Sequence, residues 1–523
     1  MGGNGKSDGF DDRCRQIIGA FLMHARLGVF PWLRWVNERP DSPALIHSEF
    51  GQSPRTLCWG ELAVRTCDLV QHLAGSGLRP GDRWAHAGGN SLAGVLAMLA
   101  SHSLGTVEVP LAPSWSAEDQ RRLCDRVGAN FVDVPEGILA STGRSLGSRL
   151  NAAMQRLAEV SSLGEVVRPD APSLILYTSG SSGLARPVSL SRLNLVSNAA
   201  AKLQAVPQTT ADLRLGVLPI WHAYARTCDL GTWLLSGCAM AIGLGWESWQ
   251  SLAPRLRPTL VNTVPSLAIR MLDEPEGTPQ WSRLRLVGCG GAALSPAAFE
   301  KFRRRGVGVI QGYGLTETSP VICSATPANT RAGYVGTPVQ GWETRIDHNG
   351  RLSVRGPGVM LGYWGERPEF AGPGKEGWFD TGDLVEVDPA DGQYRIIGRA
   401  DERITLSNGH TLDPGPIERR VQTLEGIKHA VVVCDDRTII LWIDIVSSPL
   451  EPQAWLARVR KSLSDFPPGL LPRQVRVMPV PLESLPGLLT SKGTIVKSKV
   501  LTHISEHWNQ QAECDRRSGG SVR

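Results

Sequence analysis

A loop rich in glycine and hydroxyl side chains follows an apolar segment in the stretch LILYTSGSSGLARPVSL, Leu174 to Leu190. Its backbone N–H groups and hydroxyls can face an anion, and one positive charge, Arg186, comes directly after it. Such a loop suits a polyphosphate, although it lacks the GxxxxGK spacing of the P-loop of NTPases. A surface turn without function is the alternative that the loop alone leaves open. The residues assigned to phosphate binding are Thr178, Ser179, Gly180, Ser181, Ser182 and Gly183.

Three further segments follow in order along the chain. They are QGYGLTETSP at Gln311–Pro320, EGWFDTGDL at Glu376–Leu384 and GRADERITLSNG at Gly398–Gly409. Together with the glycine-rich loop, they resemble the motifs of the adenylate-forming superfamily of acyl-CoA synthetases, peptide-synthetase adenylation domains and luciferases. The resemblance covers roughly Ala44 to Leu501. One such motif is a weak signal, whereas four in the same order argue against coincidence.

The resemblance implies a nucleotide site with five side chains. Tyr313 is similar to the family's adenine-stacking aromatic residue, Thr316 to the hydroxyl donor to the phosphate, and Glu317 to the carboxylate that binds Mg²⁺. Mg²⁺ is a hard cation that favours oxygen ligands. Asp383 resembles the carboxylate that accepts hydrogen bonds from both ribose hydroxyls, and Arg399 a basic partner of the nucleotide. Taken singly, Tyr313 is also typical of a core tyrosine, Glu317 of a helix N-terminus, and Asp383 with Arg399 of surface charges.

Two other features concern the approach of the ligands. In VGCGGAALS, Gly290 and Gly291 match the place where the family lays its backbone along the adenine, and such close approach requires small residues. The segments LPIWHAYART and ITLSNGHTLDPGPIE are similar to long-chain fatty acid activating enzymes, including those that load acyl carrier protein. That similarity places Trp221 and His222 at the mouth of an acyl tunnel. An aromatic pair of this kind is also common in ordinary core packing.

The chain departs from the family pattern at three places, one of which is Arg192, where many relatives carry His. Ala185, Arg186 and Pro187 stand where the family has Pro-Lys-Gly, so the charge is kept as a planar fork and one backbone N–H is lost. In LPGLLTSKGTIVKSKVL, Thr494 falls on the catalytic lysine, whose loss costs on the order of 10²–10³ in rate. In an extended strand, residues two apart share a face, so we expect Lys492 to supply the displaced charge. A solvated surface lysine is the alternative.

The pattern of apolar runs predicts the elements that position these residues. From Leu45 onward, strand and helix patterns alternate, which is typical of parallel strands joined by crossover helices. After Tyr334, short alternating runs with the turn signal Asn349-Gly350 predict an antiparallel β region. We therefore predict an α/β fold with a large N-terminal α/β domain at 1–397, which has parallel sheets and a β-rich subdomain at 334–397. A small mobile α+β C-terminal domain follows at 398–507, with its hinge near 398–403. The tail at 508–523 is predicted to be disordered.

The composition narrows the class of protein and its location. The 523 residues carry a net charge of +5 from 55 basic and 50 acidic residues, without a long basic run, which argues against a nucleic-acid partner. The ten cysteines form no CxxC pair, so we expect reduced thiols and no zinc. The start of the chain does not resemble a signal peptide, and its apolar runs are far shorter than the roughly 20 residues of a spanning helix. These features predict a cytoplasmic protein whose membrane contact, if any, is peripheral.

These observations lead to one leading hypothesis and one alternative. The leading hypothesis is a ligase that uses ATP and Mg²⁺ to convert a medium- or long-chain fatty acid, or a related carboxylic acid, to an acyl adenylate. The acyl group then passes to the thiol of CoA or of a phosphopantetheinyl acyl carrier protein. The alternative is a degenerate relative that binds a nucleotide or an acyl ligand without turnover. The changes at Arg186, Pro187, Arg192 and Thr494 motivate it.

Overall fold

The structure is a computed structural model that describes most of the chain. The described residues are 31–48, 53–140, 146–164, 168–178, 186–366, 373–400, 404–405, 411–412, 414–435, 438–446, 450–466, 471–489 and 495–504. Several predicted features lie outside these residues: Ser179 to Gly183 of the loop, residues 401–403 of the hinge, Lys492, Thr494 and the tail 508–523.

Twenty-four strands form five sheets within the described part of the chain. In chain order they are β1 (Pro43–His47), β2 (Arg55–Cys58), β3 (Arg83–His86), β4 (Val107–Pro110), β5 (Asn130–Phe131), β6 (Pro172–Thr178), β7 (Arg186–Ser191), β8 (Leu213–Gly216), β9 (Ala239–Ile242), β10 (Leu260–Thr263), β11 (Leu286–Cys289), β12 (Gly308–Gly314), β13 (Val321–Ser324), β14 (Thr337–Pro338), β15 (Glu343–Ile346), β16 (Arg351–Arg355), β17 (Gly362–Tyr363), β18 (Phe379–Val387), β19 (Tyr394–Arg399), β20 (Ile404–Thr405), β21 (Thr411–Leu412), β22 (Ile427–Asp435), β23 (Thr438–Ile445) and β24 (Gln474–Val477).

The described helices connect and cover these strands. The α-helices are α1 (Trp32–Glu38), α2 (Trp59–Gly75), α3 (Leu92–Leu104), α4 (Ala117–Val127), α5 (Glu136–Ala140), α6 (Leu146–Gly164), α7 (Arg192–Ala205), α8 (Ala223–Ala225), α9 (Thr232–Ser236), α10 (Gly245–Leu256), α11 (Pro265–Leu272), α12 (Pro296–Arg304), α13 (Pro414–Gln422), α14 (Pro452–Ser462) and α15 (Lys497–His503). A π-helix spans Arg226–Gly231, and short 3₁₀ turns span Pro279–Trp281, Thr316–Thr318, Lys375–Gly377 and Leu482–Ser484.

Two large sheets form the N-terminal part. A nine-stranded sheet has the order β14-β13-β12-β11-β10-β8-β9-β1-β2, and its six central strands from β12 to β1 run parallel. A six-stranded sheet has the order β17-β7-β6-β4-β3-β5, in which β6, β4, β3 and β5 are parallel. Strands β6 and β7 pair in antiparallel fashion on either side of the glycine-rich loop. The predicted α/β core with parallel sheets is confirmed.

Antiparallel and mixed sheets make up the rest. Strands β15, β16, β18 and β19 form an antiparallel sheet, and the predicted Asn349-Gly350 turn joins β15 to β16 with Gly350 at φ +81°. Strand β19 ends at Arg399, two residues beyond the predicted domain boundary. Farther along, β22, β23 and β24 form a mixed sheet whose apolar residues pack with α13 and α14 around the buried Trp455.

A continuous apolar core lies between the first helices and the two large sheets. The rings of Trp59 and Trp233 stack with centroids 5.2 Å apart, and Trp35 donates to the carbonyl of Leu234 at 2.8 Å. Burying such large rings supplies much of the stabilising free energy, since each removes about 150–250 Å² from water. No described helix has both the length and the apolar character needed to cross a membrane.

The start of helix α7 is fixed by its own sequence. The hydroxyl of Ser191 accepts from the Asn194 backbone N–H at 3.1 Å, and the Asn194 side-chain oxygen accepts from the Ser191 N–H at 2.8 Å. This reciprocal cap satisfies two N–H groups that the first helical turn leaves without partners. The Asn194 amide also donates to the Pro357 carbonyl at 2.7 Å. The cap therefore sets the register of α7, which later places Lys202 inside the protein.

Candidate active site

Tyr313, Asp383 and Arg399 join the nine-stranded sheet to the four-stranded one. The Tyr313 hydroxyl donates to Asp383 Oδ2 at 2.5 Å, and Arg399 Nη1 donates to Asp383 Oδ1 at 3.2 Å. Asp383 and Arg399 are opposite each other on β18 and β19, so the sheet register aligns them. Arg399 Nη1 also donates to the Thr381 carbonyl at 2.9 Å. Three residues that the sequence assigned to the nucleotide thus form one hydrogen-bonded group.

Burial decides the protonation of Tyr313 in this group. Burial first, and then the Asp383 carboxylate, raise the pKa of Tyr313 well above its ordinary value. The phenol therefore stays protonated at neutral pH and acts as the donor. Asp383 is only 5% exposed, and its two oxygens accept from different residues. A carboxylate held in this way has a fixed orientation, which suits recognition of hydroxyl donors such as those of a ribose.

The glycines after β11 lie beside Tyr224. A Cβ at Gly290 would come within 3.0 Å of the Tyr224 ring, and a Cβ at Gly288 within 2.0 Å of Asn262 Oδ1. Gly291 has a φ of +82°, in the left-handed region that favours glycine. Packing inside the protein therefore already demands small residues here, in addition to the adenine contact that the sequence predicts.

On the phosphate side, Arg186 has an internal partner. Its Nε and Nη2 donate to the two carboxylate oxygens of Glu366 at 2.9 and 2.5 Å, and its guanidinium lies 3.3 Å from the centroid of the Tyr363 ring. Hydrogen bonding to Glu366 raises the pKa of Arg186 above its ordinary value. Arg186 is opposite Thr178 across the β6–β7 pair, at the foot of the glycine-rich loop. Arg186 thus lies at the foot of the loop and is engaged by a carboxylate.

Glu317 lies in the same neighbourhood, in the 3₁₀ turn that Thr316 begins. Its Oε1 accepts from the Tyr363 hydroxyl at 2.8 Å, and its backbone carbonyl accepts from the Met360 N–H at 2.8 Å. Burial, and then the Glu317 charge, raise the pKa of Tyr363, so this phenol is a donor at neutral pH. The second carboxylate oxygen has no hydrogen bond to a described residue. Glu317 is therefore a fixed carboxylate beside Arg186.

Among the described residues, no group of three or more His, Cys, Asp or Glu side chains is arranged to hold a metal ion. Mg²⁺ differs from other metals in this respect. It is commonly bound by one or two carboxylates together with substrate phosphates and water. The carboxylate of Glu317, whose second oxygen has no hydrogen bond to a described residue, fits that pattern.

The predicted acyl-site pair lies at the start of the segment that leads into the π-helix. Trp221 is buried and His222 is half-buried, with ring centroids 6.0 Å apart. Trp221 also approaches the backbone at Gly89. Two residues farther on, Tyr224 is the ring that contacts Gly290. The aromatic pair thus lies in the same segment as Tyr224, and its packing is also typical of a core.

Another change from the family pattern has a structural explanation. Arg192 stands where many relatives carry His, and it is 6% exposed in α7. Its Nη2 donates to the backbone carbonyl of His102 at 2.8 Å. Burial lowers the pKa of Arg192 and lowers the pKa of His102 to about 3, so the imidazole is neutral. Arg192 therefore joins two helices.

Sequence reasoning missed Tyr363 and Glu366, which contact Glu317 and Arg186. A signal for the tyrosine was present, because GYW follows the turn residues Gly356 to Gly358 in an otherwise apolar run. No sequence signal singled out Glu366. It lies 180 residues from Arg186, and only the pairing of β17 with β7 brings the two together.

The comparisons with known proteins agree with this geometry. The family described as AMP-binding enzyme matches residues 32–364, and the chain belongs to this family. A feruloyl-CoA synthase from Amycolatopsis sp is 27% identical over 433 residues, which are 78% of this chain and 85% of that protein. A long-chain-fatty-acid–CoA ligase from Yersinia pestis is 30% identical over 340 residues, 58% of each chain.

Solved structures of the same architecture include two with bound nucleotide. ATP-bound MatB from Rhodopseudomonas palustris has a TM-score of 0.73 at 21% identity and covers 92% of this chain and 99% of its own. The O-succinylbenzoate coenzyme A synthetase MenE from Bacillus subtilis, in complex with AMP, has a TM-score of 0.72 at 19% identity, with 89% and 96% covered. These similarities show the fold, with its large N-terminal domain and smaller C-terminal domain.

Proposed function

We propose that the protein activates a carboxylic acid with ATP and transfers the acyl group to the thiol of CoA. In the first step an oxygen of the acid attacks the α-phosphorus, and pyrophosphate leaves. In the second step the thiolate sulfur of CoA attacks the acyl carbonyl, and AMP leaves with the bonding electron pair. The family supports the first step, and the names of the relatives, which are CoA ligases, support the second.

The observation that carries this proposal is the hydrogen-bonded group of Tyr313, Asp383 and Arg399. It combines an aromatic ring, an oriented carboxylate and a cation, which are the groups needed for a base, a ribose and a phosphate. Asp383 holds the ribose hydroxyls, and Tyr313 stacks on the adenine. Gly290 and Gly291 leave room for the base, and Thr178 and Thr316 donate to phosphate oxygens.

Glu317 is the residue that would bind Mg²⁺ together with the phosphates. The ion, when bound, neutralises phosphate charge and so makes pyrophosphate a better leaving group. Tyr363 keeps the Glu317 carboxylate in one orientation through its hydroxyl. Lys492 supplies the cation that the family has at position 494, and it neutralises charge on the acid and the α-phosphate.

The experiment that tests this function is pyrophosphate release from ATP and Mg²⁺ with a panel of acids. Replacing Asp383 with Asn keeps the shape of the side chain but removes its charge, and we expect pyrophosphate release to fall by about 10- to 100-fold, as for the loss of a charge-assisted hydrogen bond. Asp273→Asn, at an exposed position after α11, is the matched control and is expected to behave as wild type. Equal rates in the two variants would refute the nucleotide assignment.

The finer parts of the prediction concern the acid and the thiol. The segments Leu218–Thr227 and Ile404–Glu418 favour a medium- or long-chain fatty acid, with acyl carrier protein as a second acceptor. Repeating the panel with CoA and with holo acyl carrier protein tests the acceptor directly. A cytoplasmic location with peripheral membrane contact belongs to the same set of predictions, and sedimentation with vesicles tests the contact.

A second candidate function is binding without turnover. The bidentate contact of Arg186 with Glu366 favours it, because a basic residue held by a carboxylate is withdrawn from phosphate. Nucleotide binding by calorimetry together with the absence of pyrophosphate release for every acid in the panel would establish this function in place of the ligase.

A further inference from the structure

A second group of charged side chains is buried near Tyr224. Lys202 on α7, Arg214 on β8 and Asp229 in the π-helix are 8%, 3% and 0% exposed. Taking such charges out of water costs several kcal/mol per ion unless each is paired and hydrogen-bonded. Two cations and one anion therefore leave one positive charge that the protein does not balance within this group.

Arg214 and Asp229 account for two of the three charges. Arg214 Nη1 donates to Asp229 Oδ1 at 2.6 Å, and Arg214 Nη2 donates to Gln208 Oε1 at 2.8 Å. Asn262 Nδ2 donates to the same Asp229 oxygen at 2.8 Å. Two atoms of this pair, Arg214 Nε and Asp229 Oδ2, are buried without a hydrogen-bond partner. The ion pair is thus formed, but its polar atoms are not all satisfied.

Lys202 is the remaining charge, and it is not paired with a carboxylate in the described structure. Its Nζ donates to the Ser324 hydroxyl at 2.7 Å, and that hydroxyl in turn donates to the Ala325 carbonyl at 2.8 Å. An ammonium has three N–H donors, and among the described residues Ser324 is the one acceptor for Lys202 Nζ. Burial lowers the pKa of Lys202, which reflects the cost of keeping its charge here. Such a side chain is stabilised by any oxygen that approaches it.

A cavity lies at the same place. Its accessible volume is about 20 Å³, and its lining includes Lys202, Arg214, Cys228, Asn262 and Gly288. About 10–15 Å³ is enough for one water molecule, so the space accepts a single small polar group. A methylene chain placed there would displace water from charged groups without offering an acceptor in return.

Residues at the end of β11 and on the β12–β13 pair connect the surroundings of the cavity with the candidate active site. Gly288 lines the cavity, and Gly290, two residues later, lies against the Tyr224 ring. Across the sheet, Ser324 pairs directly with Gly312, the neighbour of Tyr313. The segment from His222 through Tyr224 to Cys228 runs from the predicted acyl entrance to this cavity.

We propose that the cavity receives one hydrogen-bond-accepting oxygen, of a carbonyl or of a carboxylate, at the end of the acid remote from its reacting carboxyl group. Lys202 donates to this group through an N–H that does not reach Ser324. The inference rests on the proposed function, because it names the class of acid that the same site activates. Among fatty and related carboxylic acids, it favours those that carry a second oxygen group over plain alkyl acids of equal length.

The experiment measures pyrophosphate release for matched sets of acids. Each set contains an alkanoate, an oxo acid and a dicarboxylate of equal chain length, so that only the remote group differs. Wild type is expected to favour one of the two oxygenated acids. Lys202→Met keeps the length and burial of the side chain but cannot donate, and it is expected to lower kcat/KM for the favoured acid about 10- to 100-fold, mainly through KM. Its rate with the alkanoate should not fall.

Two control variants separate ligand binding from a structural role. Lys301→Met, at an exposed position on α12, is expected to keep the wild-type preference. Ser324→Ala removes the internal partner but leaves the ammonium, so it should also keep the preference. If Ser324→Ala loses the preference as fully as Lys202→Met, the Lys202–Ser324 contact is structural and the proposal is overturned. A wild-type preference for the alkanoate overturns it as well.

A second measurement separates this proposal from the proposed function. The melting temperature is recorded with each acid and without ATP, for wild type and for Lys202→Met. If no acid releases pyrophosphate but the oxygenated acid stabilises wild type and not Lys202→Met, the ligase function fails and the cavity assignment stands. If the acids release pyrophosphate but neither readout distinguishes Lys202→Met from wild type, the cavity assignment fails and the ligase function stands. No release and no stabilisation by any acid would refute both.

Discussion

Two bidentate arginine–glutamate pairs have the same contact chemistry in opposite surroundings. Arg226 donates to Glu108 through Nη1 at 2.9 Å and Nη2 at 2.5 Å, and the side chains are 3% and 5% exposed. Arg186 donates to Glu366 with nearly identical distances, but these side chains are 35% and 25% exposed. A buried pair cannot exchange its partner without leaving a charge unpaired, whereas a pair that borders solvent can.

The buried pair also has a fuller set of partners. His86 Nε2 lies 2.9 Å from Glu108 Oε1, and His86 Nδ1 accepts from the Gly88 N–H at 3.2 Å. This contact fixes the neutral tautomer with its proton on Nε2, which then donates to Glu108. Arg226 Nε donates to the Ile220 carbonyl at 2.5 Å. The difference teaches that a saturated buried pair holds elements together. In the pair that borders solvent beside Glu317, Arg186 can exchange Glu366 for another anion.

The largest expected effect is on the buried pair. Glu108→Gln leaves the Arg226 guanidinium buried without a counter-charge, and we expect the free energy of unfolding to fall by about 3–5 kcal/mol. Chemical denaturation measures this change. Glu366→Gln is the matched comparison, and its effect on stability should stay below about 1 kcal/mol, as for exposed ion pairs.

A double variant tests whether the loss comes from the unpaired charge. Glu108→Leu combined with Arg226→Met removes both charges, and it should recover most of the stability that Glu108→Gln loses, because apolar replacements of buried ion pairs are often neutral or stabilising. If the double variant is as unstable as the single one, the pair contributes through shape and not through charge. Equal losses in Glu108→Gln and Glu366→Gln would remove the distinction between the two pairs.

A smaller effect is expected in the pH dependence of stability. Burial alone would raise the pKa of Glu108, but Arg226 and His86 outweigh burial and hold that pKa below its ordinary value. A carboxyl whose pKa is lower in the folded than in the unfolded state stabilises the fold at pH values above its unfolded pKa of about 4.3. This contribution is lost as the pH falls through the folded pKa. Wild type should therefore lose more unfolding free energy on acidification from about pH 5 than Glu108→Gln does. Identical slopes in denaturation series at several pH values would contradict this sign.

The smallest expected effect concerns the exposed pair and the nucleotide. Glu366→Gln removes the charge that engages Arg186, so the guanidinium becomes available to phosphate at the foot of the glycine-rich loop. We expect the KM for ATP to fall roughly fivefold, which corresponds to about 1 kcal/mol. Steady-state pyrophosphate release measures it, with Glu343→Gln, which breaks an exposed pair with Arg355, as the control. A raised KM would mean that the pair orders the site for ATP.

Much of the fold was predictable because its signals are local. The alternating strand and helix patterns from Leu45 onward favour parallel strands with crossover helices, and Asn349-Gly350 specifies its turn. The motif residues Tyr313 and Asp383 were identified from their neighbours in sequence, and the structure brings them together.

The partners of the charged residues were not predictable in the same way. Arg186 was expected to face phosphate, and its contact with Glu366 depends on which strands are adjacent in the six-stranded sheet. Lys202 reads as an ordinary helix lysine in AAAKLQA. It is buried only because the α7 cap and strand β13 place it against Ser324.

By itself, the sequence determined the class of fold and the order of the motifs, because turn residues and apolar periods act over a few neighbouring positions. Its resemblance to a known family indicated the residues of the candidate nucleotide site. The tertiary structure alone decided which charges are paired, which are buried and which face a cavity. Glu108 and Arg226 are 118 residues apart, and Lys202 and Ser324 are 122 residues apart. The energy of a charge depends on what surrounds it in space, and only the packing of distant strands and helices fixes those surroundings.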